Sequence, residues 1–455
     1  PITEQLKVMY HDLSLGFETE TRGNYSNPIY IKGDKKGKGQ FKGIVGLSNE
    51  GLLGSGKFDY LGVSIESEYI EFMPNQVRVE SVDSFNLNGG DYNGFEFPKV
   101  KGEKVTIDWI PYKDSMYIES IIDSIPFELF DSTDFNLQGS LFLTPKGLLG
   151  KGIVDWNGAT LSSNEGGNFK FGKHTINSKS TALKIKSSGN IEFAFENDNV
   201  EAKIDLLNQV GDFVSKEEDI ATDLPYNSYE TTLNQFHWDM SSNHIFMDAQ
   251  DGKTGFFLAA ENQDSLVFLG ERADFDLNSG MLKIDGVEFI RIADAFIYPK
   301  GKHIEIDQKS HMQALFESKI IADTLNQNHI IHQATINVLN RNNYTAEGYL
   351  EFNIEGFKDQ EILFDNISVL KIDNQSITIG NGTVSDSANF FLDKRTKFKG
   401  NVSLSANFEQ LTFQGYAKMS SAVIPTTEWF SIDTKINKYD VFIEYDKPLN
   451  PEGEE

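Results

Sequence analysis

The chain has 455 residues, a length that corresponds to about two to four domains. Its 68 acidic side chains outnumber its 41 basic ones, which gives a formal net charge of −27. This charge excludes nucleic acid and anionic membrane surfaces as expected partners, because both are bound through an excess of Lys and Arg. Cations and basic proteins are the partners that such a charge would attract.

Cysteine is absent, so the chain has no disulfide, no thiolate metal site and no Cys nucleophile. No apolar run reaches the roughly 20 residues that a membrane-spanning helix needs. The numbering starts at Pro1 without a basic-then-apolar leader, so we expect a processed chain or a piece of a longer one. The 35 Phe and the short alternating apolar runs between Gly, Asn and Asp clusters favour β-strands.

Residues 1–40 form the first predicted segment, an N-terminal β segment that ends in the basic stretch KGDKKGKG at 32–39. Alternating Lys and Gly are typical of an exposed hairpin tip. The alternative interpretation is a contact with a partner through Lys35, Lys36 and Lys38.

The word GLLGSGK at 51–57 returns 96 residues later as GLLGKG at 147–152. The first copy resembles a phosphate-binding loop, which needs a Lys followed by a Ser or Thr hydroxyl. Here Phe58 follows Lys57, and Ile153 takes the place of the Lys in the second copy. Because the chemical residues are lost and the glycines kept, the word predicts a structural turn rather than a nucleotide site. The glycines assigned to this turn are Gly51, Gly54, Gly56, Gly147, Gly150 and Gly152.

Similarity around the two copies predicts a repeated unit of strand, Gly-rich turn and strand. Further units follow, and FKG at 398–400 echoes FKG at 41–43. No Pro/Ser-rich linker interrupts the chain, which favours one continuous elongated body. The predicted fold class is all-β, an elongated stack of repeated multi-strand units of solenoid or sandwich type with little helix. The predicted divisions are repeat unit one at 41–134, repeat unit two with insertions at 135–285, a third β unit at 286–396, and a C-terminal β unit with a polar tail at 397–455.

Two segments could interrupt the β pattern. Residues 312–325 are the best helix candidate, although the pair Ile320-Ile321 suits a strand. The acidic stretch 217–223 has the composition of a helix or a loop.

Two patterns resemble metal sites. Asp274 and Asp276 begin the word DFDLNSG with oxygen ligands at alternate positions, as in a calcium loop, but Asp285 stands where that loop has Glu. A strand end entering a turn is the favoured interpretation, and a weak calcium site stays open. His329 and His332 would lie on opposite faces of a strand and could not hold one metal. The sequence therefore predicts neither a metal nor a cofactor.

No nucleophile elbow, zinc-protease motif or dinucleotide fingerprint is present, and carboxylate pairs are uninformative in so acidic a chain. The sequence predicts a protein that is not an enzyme and takes no small-molecule substrate. Its four Trp are interpreted as core residues. The four Trp residues are Trp109, Trp156, Trp238 and Trp429.

The alternative functions are a glycan- or lipid-binding module with a groove lined by aromatic residues, an enzyme on a β-helix scaffold, and a cell-surface scaffold or adhesin.

Four longer words resemble a group of large, multi-repeat β proteins of Gram-negative cell envelopes. They are LQGSLFLTPKGLLGKG at 137–152, FENDNV at 195–200, LPYNSY at 224–229 and VEFIRIADA at 287–295. Within that group the likeness extends to the plugs of the type IX secretion translocon. The resemblance implies a non-enzymatic periplasmic protein that binds a large outer-membrane β-barrel translocon protein and seals its channel. The family supplies no catalytic residues.

Overall fold

The computed structural model describes residues 7–10, 17–21, 29–31, 39–48, 51–92, 94–122, 125–156, 158–187, 193–216, 222–249, 252–259, 264–354, 356–372, 375–419 and 428–436. The basic stretch with Lys35, Lys36 and Lys38 lies outside these residues. So do residues 217–221 of the acidic stretch and the C-terminal tail from residue 437.

The all-β class predicted from the sequence is confirmed. Strands make up 70% of the structure, no α-helix occurs in the described ranges, and the strands pair antiparallel. The alternation of apolar and polar residues in the sequence explains the strands, since every second side chain of a strand points into the core. In the eighth strand, for example, Val105, Ile107 and Trp109 are buried while Lys104 and Asp108 are not.

The strands are numbered along the whole chain. The first twenty-one are β1 (Lys7–Tyr10), β2 (Phe17–Thr21), β3 (Ile29–Ile31), β4 (Gly39–Ser48), β5 (Gly51–Tyr60), β6 (Val63–Phe72), β7 (Val77–Tyr92), β8 (Phe95–Ile110), β9 (Ser115–Ser120), β10 (Phe127–Leu129), β11 (Asn136–Thr144), β12 (Gly147–Trp156), β13 (Ala159–Ser163), β14 (Phe169–Phe171), β15 (Thr175–Lys186), β16 (Phe193–Asp205), β17 (Val210–Ser215), β18 (Thr222–Leu224), β19 (Tyr229–Thr231), β20 (Gln235–Asp239) and β21 (His244–Asp248). The remaining strands are β22 (Gly255–Ala259), β23 (Val267–Gly270), β24 (Arg272–Asp276), β25 (Met281–Asp285), β26 (Ile290–Ile292), β27 (Ala295–Tyr298), β28 (His303–Ile306), β29 (Leu315–Ala322), β30 (His329–Asn340), β31 (Asn343–Glu351), β32 (Glu361–Ile372), β33 (Gln375–Val384), β34 (Phe390–Phe391), β35 (Thr396–Ser405), β36 (Leu411–Met419) and β37 (Phe430–Ile436).

The chain divides into two compact units. Unit 1 consists of Pro1–Ala221 and Gln235–Ile245, and unit 2 consists of Thr222–Asn234 and Phe246–Glu455. The division falls inside the segment 135–285 that the sequence analysis took as one repeat unit.

Unit 1 is built from successive antiparallel hairpins. Its longest ladder runs from β4 through β9 in chain order, and β9 then pairs with β11. Aromatic side chains fill the interior behind these strands. The ring centroid of Trp109 lies 5.2 Å from that of Phe58 and 5.2 Å from that of Tyr60.

In unit 2 the chain alternates between two ladders. The first, ladder A, has the order β18–β19–β22–β23–β26–β27–β29, and the second, ladder B, has the order β24–β25–β28. Gly270 of ladder A lies against ladder B, since a Cβ at this position would come within 2.6 Å of Ile284 Cγ2. Beyond residue 322, a meander of β30 to β33 and β35 to β37 completes the unit.

The helix predicted at 312–325 is wrong, because Leu315–Ala322 is strand β29. The register between β29 and β30 shifts twice, between Leu315 and Ser318 and between Ser318 and Ile320. These irregularities place buried side chains three residues apart, at Leu315 and Ser318, which imitates the spacing of a helix.

Candidate partner-binding surface

Both copies of the repeated glycine word lie within strands. The first copy is in β5 and the second is in β12, which directly follows the turn at Pro145 and Lys146. The chain therefore reverses before the word and not within it. This corrects the turn that the sequence predicted for Gly51, Gly54, Gly56, Gly147, Gly150 and Gly152.

Two of these glycines allow a close approach between strands. Gly56 pairs with Gly43 and Gly152 pairs with Gly139, with φ of +151° at Gly56 and +130° at Gly152. A Cβ on Gly56 or on Gly152 would lie only 2.2 Å or 2.0 Å from a carbonyl oxygen of the facing strand. The glycine word therefore has a structural role. Lys57 is exposed, and its Nζ lies 3.4 Å from Asp59 Oδ1.

In each of the two patterns that resemble metal sites, a side chain forms hydrogen bonds within the fold. Asp276 accepts hydrogen bonds from the Asn278 backbone N–H at 2.9 Å and from the Ser279 hydroxyl at 2.6 Å, which closes the β24–β25 hairpin. His329 is buried and bonds the Phe408 carbonyl oxygen through Nε2 at 2.6 Å, while His332 is half-buried three residues along strand β30. Among the described residues, no group of three His, Asp or Glu side chains could hold a metal ion.

Three of the four Trp are core residues, as the sequence predicted. Trp109, Trp156 and Trp238 are at most 3% exposed. Trp429 is half-buried, with Lys399 Nζ 4.4 Å from its ring centroid. The aromatic lining required by a glycan- or lipid-binding groove is therefore not provided by Trp109, Trp156 or Trp238.

Two words that carry the family resemblance hold unit 2 together. In LPYNSY, the Asn227 side chain is fully buried and its Nδ2 donates to the carbonyl oxygens of Gly280, Ile306 and Asp307 at 2.9–3.2 Å. It thereby links the β18–β19 turn to ladder B. This word therefore contributes hydrogen bonds to the fold of unit 2.

In VEFIRIADA, Asp294 accepts hydrogen bonds from the backbone N–H of Thr378 at 3.0 Å and from its hydroxyl. Thr378 also bonds the hydroxyl of Tyr344 at 2.9 Å. Burial raises the pKa of Tyr344 well above its usual range, so this side chain stays neutral. This second word therefore joins the turn after β26 to β31 and β33.

A cavity of about 350 Å³ lies in unit 2 beside strand β30. Its walls combine His329 and His332 with the carboxylates of Glu351 and Glu409 and with apolar residues such as Leu411. His329 is already bonded to a backbone carbonyl, and His332, three residues along strand β30, is expected on the opposite face of the strand. The hydrogen bond of His329 to the Phe408 carbonyl therefore gives this side chain a structural role in the cavity wall.

The outward face of ladder B is polar. Its side chains are linked across the strands: Asp285 bonds His303 Nδ1 at 2.8 Å and Arg272 Nε at 3.3 Å. The bond to His303, with a smaller contribution from Arg272, holds the pKa of the Asp285 carboxyl below its usual range. Such a face is typical of a surface that stays in water.

The outward face of ladder A is apolar. Phe256 of β22 pairs with Leu269 of β23, and these two side chains are 51% and 40% exposed. Phe289, which directly precedes β26, is 41% exposed and its ring packs against those of Phe296 and Tyr298, with centroids 5.0 Å and 5.8 Å away. We call this surface the apolar band; it consists of Phe256, Leu258, Val267, Leu269, Phe289, Phe296 and Tyr298. Contiguous exposed apolar residues of this kind mark an interaction surface.

Charged residues interrupt the apolar band at few places. Arg291 lies opposite Phe296, and Glu230 lies opposite Leu258 at the other side of the band. Both side chains are exposed, and neither forms an ion pair within the described part of the chain. Lys319 pairs with Tyr298, and its Nζ lies 4.3 Å from the ring centroid. Aromatic residues combined with Arg are enriched at protein interfaces.

The apolar band was not predicted from the sequence, although the sequence carries a signal for it. The runs GFFLA in β22 and VFLG in β23 contain no polar residue, whereas a strand with one face in water alternates. A strand without this alternation has apolar side chains on both of its faces, so both faces are expected to contact other apolar groups. Which faces come together, however, depends on the register of the strands.

No helix among the described residues has the length and apolar character needed to cross a membrane. Comparison of the chain with protein-family models, with curated proteins and with solved structures finds no match.

Proposed function

We propose that this protein is a non-enzymatic periplasmic component of a type IX secretion system, which binds the outer-membrane translocon barrel and seals its channel. The observation that carries the proposal is the resemblance of the four sequence words to envelope proteins of this kind. In the structure, Asn227 and Asp294 of two of these words form hydrogen bonds that hold the fold together. A shared word at such a position favours a shared fold.

The physical character of the chain supports this role. The interior of each unit is filled by large side chains such as Trp109 in unit 1 and Phe257 in unit 2, so each unit is a solid obstacle to solutes. Blocking a pore by size needs no reaction. A seal that must open should bind through a contact of moderate affinity, and interfaces that combine apolar residues with a polar rim provide it.

The first test is affinity capture of the tagged protein from detergent-solubilised outer membranes of cells that produce it. We expect a large β-barrel translocon protein to co-purify, as identified by mass spectrometry. Capture that repeatedly recovers no barrel protein would exclude the proposed partner. A tagged periplasmic protein of similar acidity serves as the control for charge-driven association.

The second test is outer-membrane permeability in cells that lack the protein. If it seals a translocon channel, its deletion should admit large solutes that intact cells exclude, and expression of the wild-type chain should restore exclusion. Deletion of the barrel gene as well should abolish the leak, because the open channel would be gone. Unchanged permeability in the single deletion would contradict the sealing role.

A further inference from the structure

The apolar band of ladder A carries an anion, Glu230, and a cation, Arg291, in the same cross-strand row, and neither has an ion-pair partner among the described residues. Glu230 pairs with Leu258, and Leu258 pairs with Val267. Phe268 pairs with Ile290, which places Arg291 beside Val267. The row therefore has the order Asp223, Glu230, Leu258, Val267, Arg291, Phe296 on six neighbouring strands, and Glu230 to Arg291 are its four central residues.

The four central residues of this row are symmetric in their spacing. Three strand steps of about 4.8 Å separate Glu230 from Arg291, a distance of about 14 Å along the row. The midpoint lies between β22 and β23, with an acid and an apolar residue on one side and an apolar residue and a base on the other. A surface of this kind is complementary to itself under a two-fold rotation.

We propose that the apolar band binds a second copy of this chain, with the two-fold axis parallel to the strands and midway between β22 and β23. In that arrangement β19 of each copy faces β26 of the other, so each Glu230 meets the Arg291 of the partner copy. Leu258 faces Val267, and Phe256 faces Leu269. Two sheets that pack face to face with nearly aligned strands form a known stable arrangement.

Charge complementarity distinguishes a second copy from other occupants. The chain carries a net charge of −27, which disfavours association of copies except where opposite charges are brought together. The apolar band provides two such pairs across one interface. The band has few side chains compared with the roughly 20–30 residues that each side of a standard interface contributes, so we expect a weak dimer with a dissociation constant in the range of about 1–100 μM.

This inference goes beyond the proposed function and does not depend on it, because it concerns contact between copies of the chain. The test is sedimentation equilibrium of the purified full chain over a concentration series. The wild type should show a monomer–dimer equilibrium. A wild type that remains monomeric throughout the series would overturn the proposal.

Two charge reversals locate the interface. Arg291→Glu leaves two acids opposite each other, and Glu230→Arg leaves two bases, so each variant alone should dimerise at least about tenfold more weakly. A mixture of the two variants should assemble, since each Glu of one copy then faces an Arg of the other. Affinity of the mixed dimer within about threefold of the wild type is the expected result.

The control is Arg395→Glu, which makes the same charge change at the exposed bend that precedes β35. It should dimerise like the wild type. Equal dimerisation by Arg291→Glu and the wild type, or failure of the two charge variants to assemble when mixed, would overturn the proposal. Circular dichroism establishes that each variant is folded, which is expected because both substituted side chains point to solvent.

Discussion

At the residue scale, glycine sets how closely neighbouring strands can approach. Gly43 faces Gly56, Gly139 faces Gly152, and a third pair joins Gly400 of β35 to Gly415 of β36. In all three pairs, a Cβ on either glycine would come within 2.4 Å of a carbonyl oxygen of the facing strand. The echo of FKG at 41–43 in FKG at 398–400 therefore has a structural cause, since the glycine of each word belongs to such a pair.

The first prediction separates the glycines of the repeated word from its lysine. Gly54→Val should destabilise unit 1 by at least about 2 kcal/mol, because the added Cβ would lie 2.5 Å from the Phe72 ring and 3.1 Å from that of Phe41. Lys57→Ala, the control, should change stability by less than about 0.5 kcal/mol, since its only described ion pair is exposed. Urea denaturation measures both. Mg²⁺-dependent ATP binding that is lost in Lys57→Ala would contradict the structural interpretation.

The second prediction concerns Asn227. Asn227→Ala should destabilise unit 2 by about 2–4 kcal/mol, because three carbonyl oxygens of ladder B and its turns lose their donor in a buried position. Asn337→Ala, at an exposed position of β30, provides the matched control and should change stability by less than about 0.5 kcal/mol. Thermal and urea unfolding of the two variants give the comparison. Equal stability of both would show that the Asn227 bonds are not important for unit 2.

At the scale of elements, the two ladders of unit 2 differ on their outward faces. Ladder B carries charged side chains that are paired across its strands, such as Lys283 and Glu305 at 3.6 Å. Ladder A carries the apolar band. One face is thus suited to water and the other to a protein contact, within a single unit.

The third prediction follows from the pairing on ladder B. Because the pKa of Asp285 is lowered in the folded state, its contribution to stability is present above the unfolded-state pKa of about 3.9 and is lost as pH falls through the folded pKa. Asp285→Asn should therefore be less stable than the wild type near neutral pH. The difference should be at most about 0.5 kcal/mol, since the site is partly exposed, and should vanish once the pH lies below the folded-state pKa.

Urea midpoints measured from neutral to acidic pH test this prediction. Asp359→Asn, at an exposed turn, serves as the control and should follow the wild-type pH profile. A stability difference for Asp285→Asn that grows as the pH falls would have the wrong sign and would contradict the assignment.

The elements also show where reasoning from sequence succeeds and where it fails. Regular alternation, as in Val105 to Trp109 of β8, identifies a strand directly. The bulges that place Leu315 and Ser318 three residues apart in β29 cannot be recognised before the pairing is known, so that segment resembled a helix. The apolar band was open to prediction only in part, since its apolar runs are visible but the row that joins Glu230 to Arg291 depends on register.

At the scale of the whole molecule, composition determined the fold class and little else. Many Phe and Gly, alternating apolar runs and a lack of linkers indicate a β protein. They do not indicate that the chain would alternate between two ladders from residue 222 to residue 322. That path is determined by many hydrogen bonds at once, such as those of Asn227, whose partners lie 53 to 80 residues along the chain.

The order of strand pairing has a consequence for how the chain folds. Each described strand pairs only with strands at most three positions away in the numbering, even where the chain alternates between ladders. During synthesis, a strand therefore finds its partners among the strands made just before or just after it, and no described strand must wait for a distant part of the chain. Since local pairing closes only short loops, folding can proceed along with synthesis, from the first strands to the last. New unpaired strand edges would then arise mainly at the growing end, which limits the opportunity for aggregation of the nascent chain.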